Sequence, residues 1–95
     1  MVIKIDDEKV KKIANYYGWS SQLRQLAEEC SELSVESLHY IREGRGIERI
    51  SEEMADVLIM IQQIIYLMGH GYGDIEKCAE FKLDRQLSRI EREQE

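Results

Sequence analysis

The stretch from Met54 to Met68 restricts the fold of this 95-residue chain more than any other. Only Asp56, Gln62 and Gln63 are polar within it, so a helix through it is apolar nearly all the way round. Such a helix must be covered on several sides. A membrane span does not fit, because Gln62-Gln63 breaks the run and acids flank it, whereas a span needs roughly 20 uninterrupted apolar residues. The surrounding composition suits helices. Proline is absent, glycine occurs six times, and the aromatics are five tyrosines, one tryptophan and one phenylalanine. A β-sandwich would need many turn residues and β-branched strands instead.

Helical periodicity divides the chain into four segments. Asp6 and Asp7 precede Val10, Ile13, Ala14 and Tyr17, an acidic start of the kind the helix dipole favours, and Gly18 stops the run. Ser20 and Ser21, with Trp19 just before them, offer an N-cap to a second helix. Its apolar positions Leu23, Leu26, Ala27, Cys30, Leu33, Leu38 and Ile41 recur at steps of three and four, and Gly44-Arg45-Gly46 turns the chain. The third helix is expected from near Ile47 to Gly69. His70-Gly71-Tyr72-Gly73 reads as a loop and Asp74 as the cap of a fourth helix carrying Ile75, Cys78, Ala79, Leu83, Leu87 and Ile90. The polar tail, Glu91 to Glu95, is expected to fray. The sequence thus predicts an all-α four-helix bundle in a single domain, residues 1–95.

A chain this short cannot wrap the third helix alone. Its three neighbours are short or apolar only on a narrow stripe, and an open apolar face marks a protein interface. An obligate homo-oligomer is expected, a dimer or a tetramer, its core completed between chains. Nineteen acidic against thirteen basic residues give a net charge of −6, which disfavours nucleic acid and anionic membranes as partners. The start, Met1-Val2-Ile3-Lys4-Ile5-Asp6, has no apolar run of the secretory kind. Cys30 and Cys78 fit neither a metal spacing nor a disulfide framework. Both sit on apolar stripes, so buried, reduced thiols in a cytoplasmic protein are expected.

Two acidic clusters remain, Glu28-Glu29-Cys30-Ser31-Glu32 and Glu52-Glu53-Met54-Ala55-Asp56. At 100° per residue, Glu29, Glu32 and Glu36 fall on one side of the second helix with Gln22 and Gln25, while Glu28 falls elsewhere. On the third helix Glu53 and Asp56 share a face with Met60 and Gln63. Acidic helix faces are usually just solvated. Asp56, however, lies in the apolar segment, where an unpaired carboxylate would cost several kcal/mol. The nearest preceding cation, Arg49, is seven residues away. Hard oxygen ligands paired across two helices suit Mg²⁺, with Mn²⁺ as a substitute.

The run Gln22-Leu23-x-x-Leu26-x-Glu28-Glu29-x-x-Glu32-Leu33, followed by Glu52-Glu53-x-Ala55-Asp56-Val57 with twenty residues between Glu32 and Glu53, resembles the MazG-like nucleotide pyrophosphohydrolases. These belong to the all-α NTP pyrophosphatase superfamily, with its ExxE and ExxD signature. The resemblance extends from about Gln22 to Arg89 and includes Phe81-Lys82-x-x-Arg85. It implies Mg²⁺-dependent hydrolysis of a nucleoside triphosphate between the α and β phosphates, giving the monophosphate and pyrophosphate in nucleotide-pool cleaning. By position it implies Glu29, Glu32, Glu53 and Asp56 as catalytic metal ligands, with Glu29 or Glu32 orienting the attacking water and Glu36 a further candidate ligand. Lys82 and Arg85 would bind phosphate, on a side of the fourth helix that Arg89 and Arg92 continue. The family commonly keeps an asparagine near this lysine, where Asp84 and Gln86 stand here.

Trp19, Tyr16, Tyr17 and Tyr40 are available to stack on a base, although aromatics beside apolar stripes more often pack. Two other functions compete. Glu36-Ser37-Leu38-His39 contains the ExxH pair of di-iron or di-manganese carboxylate bundles, but in one copy where two are needed. His70, in its glycine loop, reads as a solvated or capping residue. A non-enzymatic helical interaction module would dock a partner on the apolar third helix, and has no use for a charge at Asp56.

Overall fold

A computed structural model describes residues 3–69 and 72–95. The expectations placed on Met1, Val2, His70 and Gly71 lie outside the described residues. Within them the chain forms four helices and no strand: α1 (Asp7–Tyr17), α2 (Trp19–Glu43), α3 (Ile47–Met68) and α4 (Tyr72–Glu93).

The helix ends follow local chemistry. Asp6 is the N-cap of α1, its carboxylate accepting the Lys9 backbone N–H at 2.9 Å. Gly18 takes a positive φ of 83° and donates its N–H to the Ala14 carbonyl, so it ends α1 and starts α2 at once. This moves the start of α2 to Trp19. Ser20 and Ser21 lie inside the first turn, not at the cap, and no side chain caps the helix. Gly44 ends α2 in the left-handed conformation, φ 69°, which a side chain would strain. The fourth helix also differs from expectation. It begins at Tyr72, with Asp74 in its first turn, and it continues to Glu93 through most of the expected frayed tail.

The short link 44–46 returns the chain so that α2 packs along α3, and α1 packs on α3 beside it. The buried apolar residues are Val10 and Ala14 of α1 and Met60 and Ile64 of α3. Gln22 and Gln63 are buried with them. Asn15 donates to the Tyr66 hydroxyl at 3.0 Å, tying α1 to the end of α3.

α4 meets α3 alone, and every described side chain from Glu76 to Glu95 is exposed. The radius of gyration is 16.2 Å, against ~12 Å for a compact domain of this length. The excess comes from α4 standing away from α1 and α2. Its apolar stripe therefore faces water, as do Met54, Ile61 and Met68 of α3. Because that stripe is uncovered, Cys78 is exposed. Cys30, at the edge of the α2 stripe, is exposed too. The expectation that both thiols are buried is thereby corrected. No helix among the described residues is long and apolar enough to cross a membrane.

Candidate metal centre

Packing α2 along α3 brings the two acidic clusters face to face. One carboxylate oxygen each from Glu29, Glu53 and Asp56 lies within 4.8 Å of the others. Glu32 is adjacent: it lines a cavity with Glu53, and its negative charge helps to raise the Glu53 carboxyl. Glu36 is one step further along α2, in a cavity with Glu32 and Glu53. Of the four expected ligands, Glu29, Glu53 and Asp56 meet in this group and Glu32 lies outside it. Glu28 takes no part in the cluster.

Burial is graded across the group. Glu29 and Glu53 are half-buried, and the Oε2 atom of each is shielded from water with no hydrogen-bond partner. Glu29 Oε1 accepts from the Gln25 amide at 2.7 Å. Asp56 is exposed, although its segment is apolar, because its side of α3 opens onto the rim of the cleft. The large penalty expected for a charge at Asp56 is correspondingly reduced.

Crowding shows in the proton affinities. Glu53 is pushed up to about 7, first by burial, then by the negative charges of Glu32, Asp56 and Glu29. The Asp56 carboxyl is also raised, by burial first and then by the charge of Glu29. Among the described residues, the ion pair found is Lys11–Asp7 on α1, and no lysine or arginine pairs with the four carboxylates. The donor set is oxygen only. Two of its shielded oxygens lack donors. Both properties fit a hard divalent cation such as Mg²⁺ or Mn²⁺.

A pH dependence follows. A carboxyl whose folded pKa is raised binds more protons folded than unfolded between the two values, so its contribution to stability falls as pH rises through that window. For Glu53 the window runs from about 4.5 to about 7. Metal and proton compete for the same oxygens. Across pH 5 to 8, the rise in Tm produced by Mg²⁺ should therefore grow, most steeply near pH 7. Melting curves with and without Mg²⁺ measure this, and a Glu53→Gln variant should show a flatter profile. Equal protection at pH 5 and pH 8 would exclude Glu53 as a ligand.

The remaining site residues fall differently. α4 does not touch α2, so Lys82 and Arg85 of the same chain do not join the cluster. Arg85 instead lies over the Phe81 ring, 5.9 Å from its centroid. Of the aromatic candidates, Tyr17 lines a cavity of about 340 Å³ that adjoins Glu29 and Asp56, and Trp19, Tyr16 and Tyr40 do not. Sequence reasoning placed Gln22 and Gln63 on the metal-facing sides of their helices but gave them no role. Both prove to line that cavity. The available signal was a glutamine at a helix position that otherwise faces the core. His39 has a shielded Nδ1 without a partner but does not belong to the carboxylate group.

Comparison of the chain with models of known protein families, with curated proteins and with solved structures finds no match.

Proposed function

We propose that the chain is a Mg²⁺-dependent nucleoside triphosphate pyrophosphohydrolase of the MazG-like type, acting in the cytoplasm as a homo-oligomer. The observation that supports this best is the meeting of Glu29, Glu53 and Asp56 within 4.8 Å, with Glu32 lining a cavity beside Glu53. In this reading Glu29, Glu53 and Asp56 hold Mg²⁺ or Mn²⁺. The bound ion supplies charge neutralisation and a Lewis acid for the phosphoryl oxygens. Glu32, the carboxylate outside the three-oxygen group, is left to orient the attacking water. The water adds in line at the α phosphorus and passes a proton to the Glu32 carboxylate, the bond from that phosphorus to the bridging oxygen breaks, and pyrophosphate leaves.

The exposed apolar stripe of α4 and the open side of α3 support the oligomer. Since α4 does not reach α2 in its own chain, we assign Lys82 and Arg85 to the triphosphate of a neighbouring chain's cleft. Lys82→Ala should then raise KM for the triphosphate about tenfold, the usual size of one charge-assisted contact, with little effect on Mg²⁺ affinity. An unchanged KM in steady-state kinetics would return Lys82 to the solvated stripe.

The decisive experiment incubates the protein with canonical and modified NTPs and dNTPs and Mg²⁺, separating products by chromatography. Monophosphate and pyrophosphate in equal amounts are expected. Stepwise release of orthophosphate from the γ position would exclude the reading.

A further inference from the structure

The cavity beside the carboxylates holds two groups that the metal site does not use. Gln22 of α2 and Gln63 of α3 both line it, with 4% and 2% of their surface exposed. Each keeps its side-chain Oε1 without a hydrogen-bond partner. A buried polar group left unpaired costs ~1–3 kcal/mol, and leucine or methionine would fill either position without that cost. Two such amides in one cavity therefore suit a ligand better than they suit packing.

The rest of the wall defines that ligand. Tyr17, Ile59 and Met60 present apolar surface, while Glu29 and Asp56 close one side of the same cavity. Carboxylates repel an anion wherever no cation stands between, so the neutral part of the ligand belongs on the amides. A flat heteroaromatic ring meets every condition: apolar faces for the side walls and an edge of donors and acceptors for the glutamines. A glutamine amide turns easily about its last torsion, so each can present its carbonyl or its NH₂.

We infer that this cavity is a nucleobase subsite, in which Gln22 and Gln63 hydrogen-bond the edge of the base while the phosphates extend toward Glu29 and Asp56. The choice of ligand rests on the nucleotide reading of the carboxylate site.

The test follows the side-chain amide resonances of Gln22 and Gln63 by NMR in the full chain with Mg²⁺. The protein is titrated with dCMP, dTMP, dAMP, dGMP and the base-free deoxyribose 5-phosphate. At least one nucleotide should shift both amides, and the base-free sugar phosphate should shift neither. Gln22→Leu and Gln63→Leu should each weaken binding of that nucleotide about tenfold or more, leaving deoxyribose 5-phosphate unaffected. Silence from every nucleotide, equal shifts from the base-free compound, or undiminished binding by the leucine variants would overturn the subsite. Pyrophosphate release is measured on the same sample. Release without base-dependent shifts overturns the subsite and leaves the hydrolase standing. Base-dependent shifts without release support the subsite and sink the hydrolase.

Discussion

Asp56→Asn is expected to lower Mg²⁺-dependent pyrophosphate release by at least a hundredfold while leaving the protein folded. Loss of an outer-sphere partner of a metal ligand already costs about 10–100-fold, and loss of a ligand with its charge costs more. The structural cost is small, because Asp56 is exposed on the rim of the cleft and asparagine keeps its shape. In the metal-free protein the substitution removes the charge that Glu29 opposes. Solvent screens that repulsion, so the gain in stability should be no more than ~0.5 kcal/mol. Metal then separates parent from variant. At a hundredfold excess over Kd, Mg²⁺ should stabilise the parent by ~2.7 kcal/mol and the variant far less. Denaturant titrations with and without Mg²⁺, beside the chromatographic assay, read both effects. A variant that loses metal-free stability yet still releases pyrophosphate would make Asp56 a structural residue and end the metal reading.

The sequence carried the pairing of these carboxylates because their information is angular. Steps of three residues on a helix fix which side chains share a side, and Glu29, Glu32, Glu53 and Asp56 needed nothing more than two helices folding back on each other. Gly44 and Gly69 are legible for the same local reason: α2 and α3 end where a positive φ is required, and a glycine stands at each place. What the periodicity could not carry is which apolar stripe finds a partner. The stripes holding Cys30 and Cys78 look alike on the wheel to those that are buried, yet burial depends on how the helices assemble. The stripe of α4 has no neighbour within the chain. Gln22 and Gln63 share the acidic sides of their helices on the wheel, and an angle carries no depth: that both are buried depends on how α1, α2 and α3 pack.

The second large effect concerns α4. Leu83, Leu87 and Ile90 follow one another at steps of four and three, so they share a side, and they are 56%, 59% and 49% exposed. Covering the exposed part of such a side chain contributes roughly 1–1.5 kcal/mol. In a two-fold pair each residue counts twice. Replacing Leu83 and Leu87 together by glutamate removes ~4–6 kcal/mol of association and adds carboxylates that lack partners. Sedimentation should show the double variant dissociating at concentrations about a thousandfold higher than the parent, with a lower Tm, since the core within one chain is small. A parent that sediments as a stable monomer would refute the oligomer outright. If oligomerisation is what carries Lys82 to the cleft, the two kinds of defect must complement each other across chains. Subunits bearing Asp56→Asn and subunits bearing Lys82→Ala, refolded together, place both lesions in one cleft of a hybrid dimer and leave the other cleft whole. Random mixing makes half the dimers hybrids, so about a quarter of the parent's sites should be restored, measured as pyrophosphate release at substrate well below KM. Were Lys82 instead to serve the cleft of its own chain, every site in the mixture would keep one lesion. Activity would then stay at the average of the two parental variants.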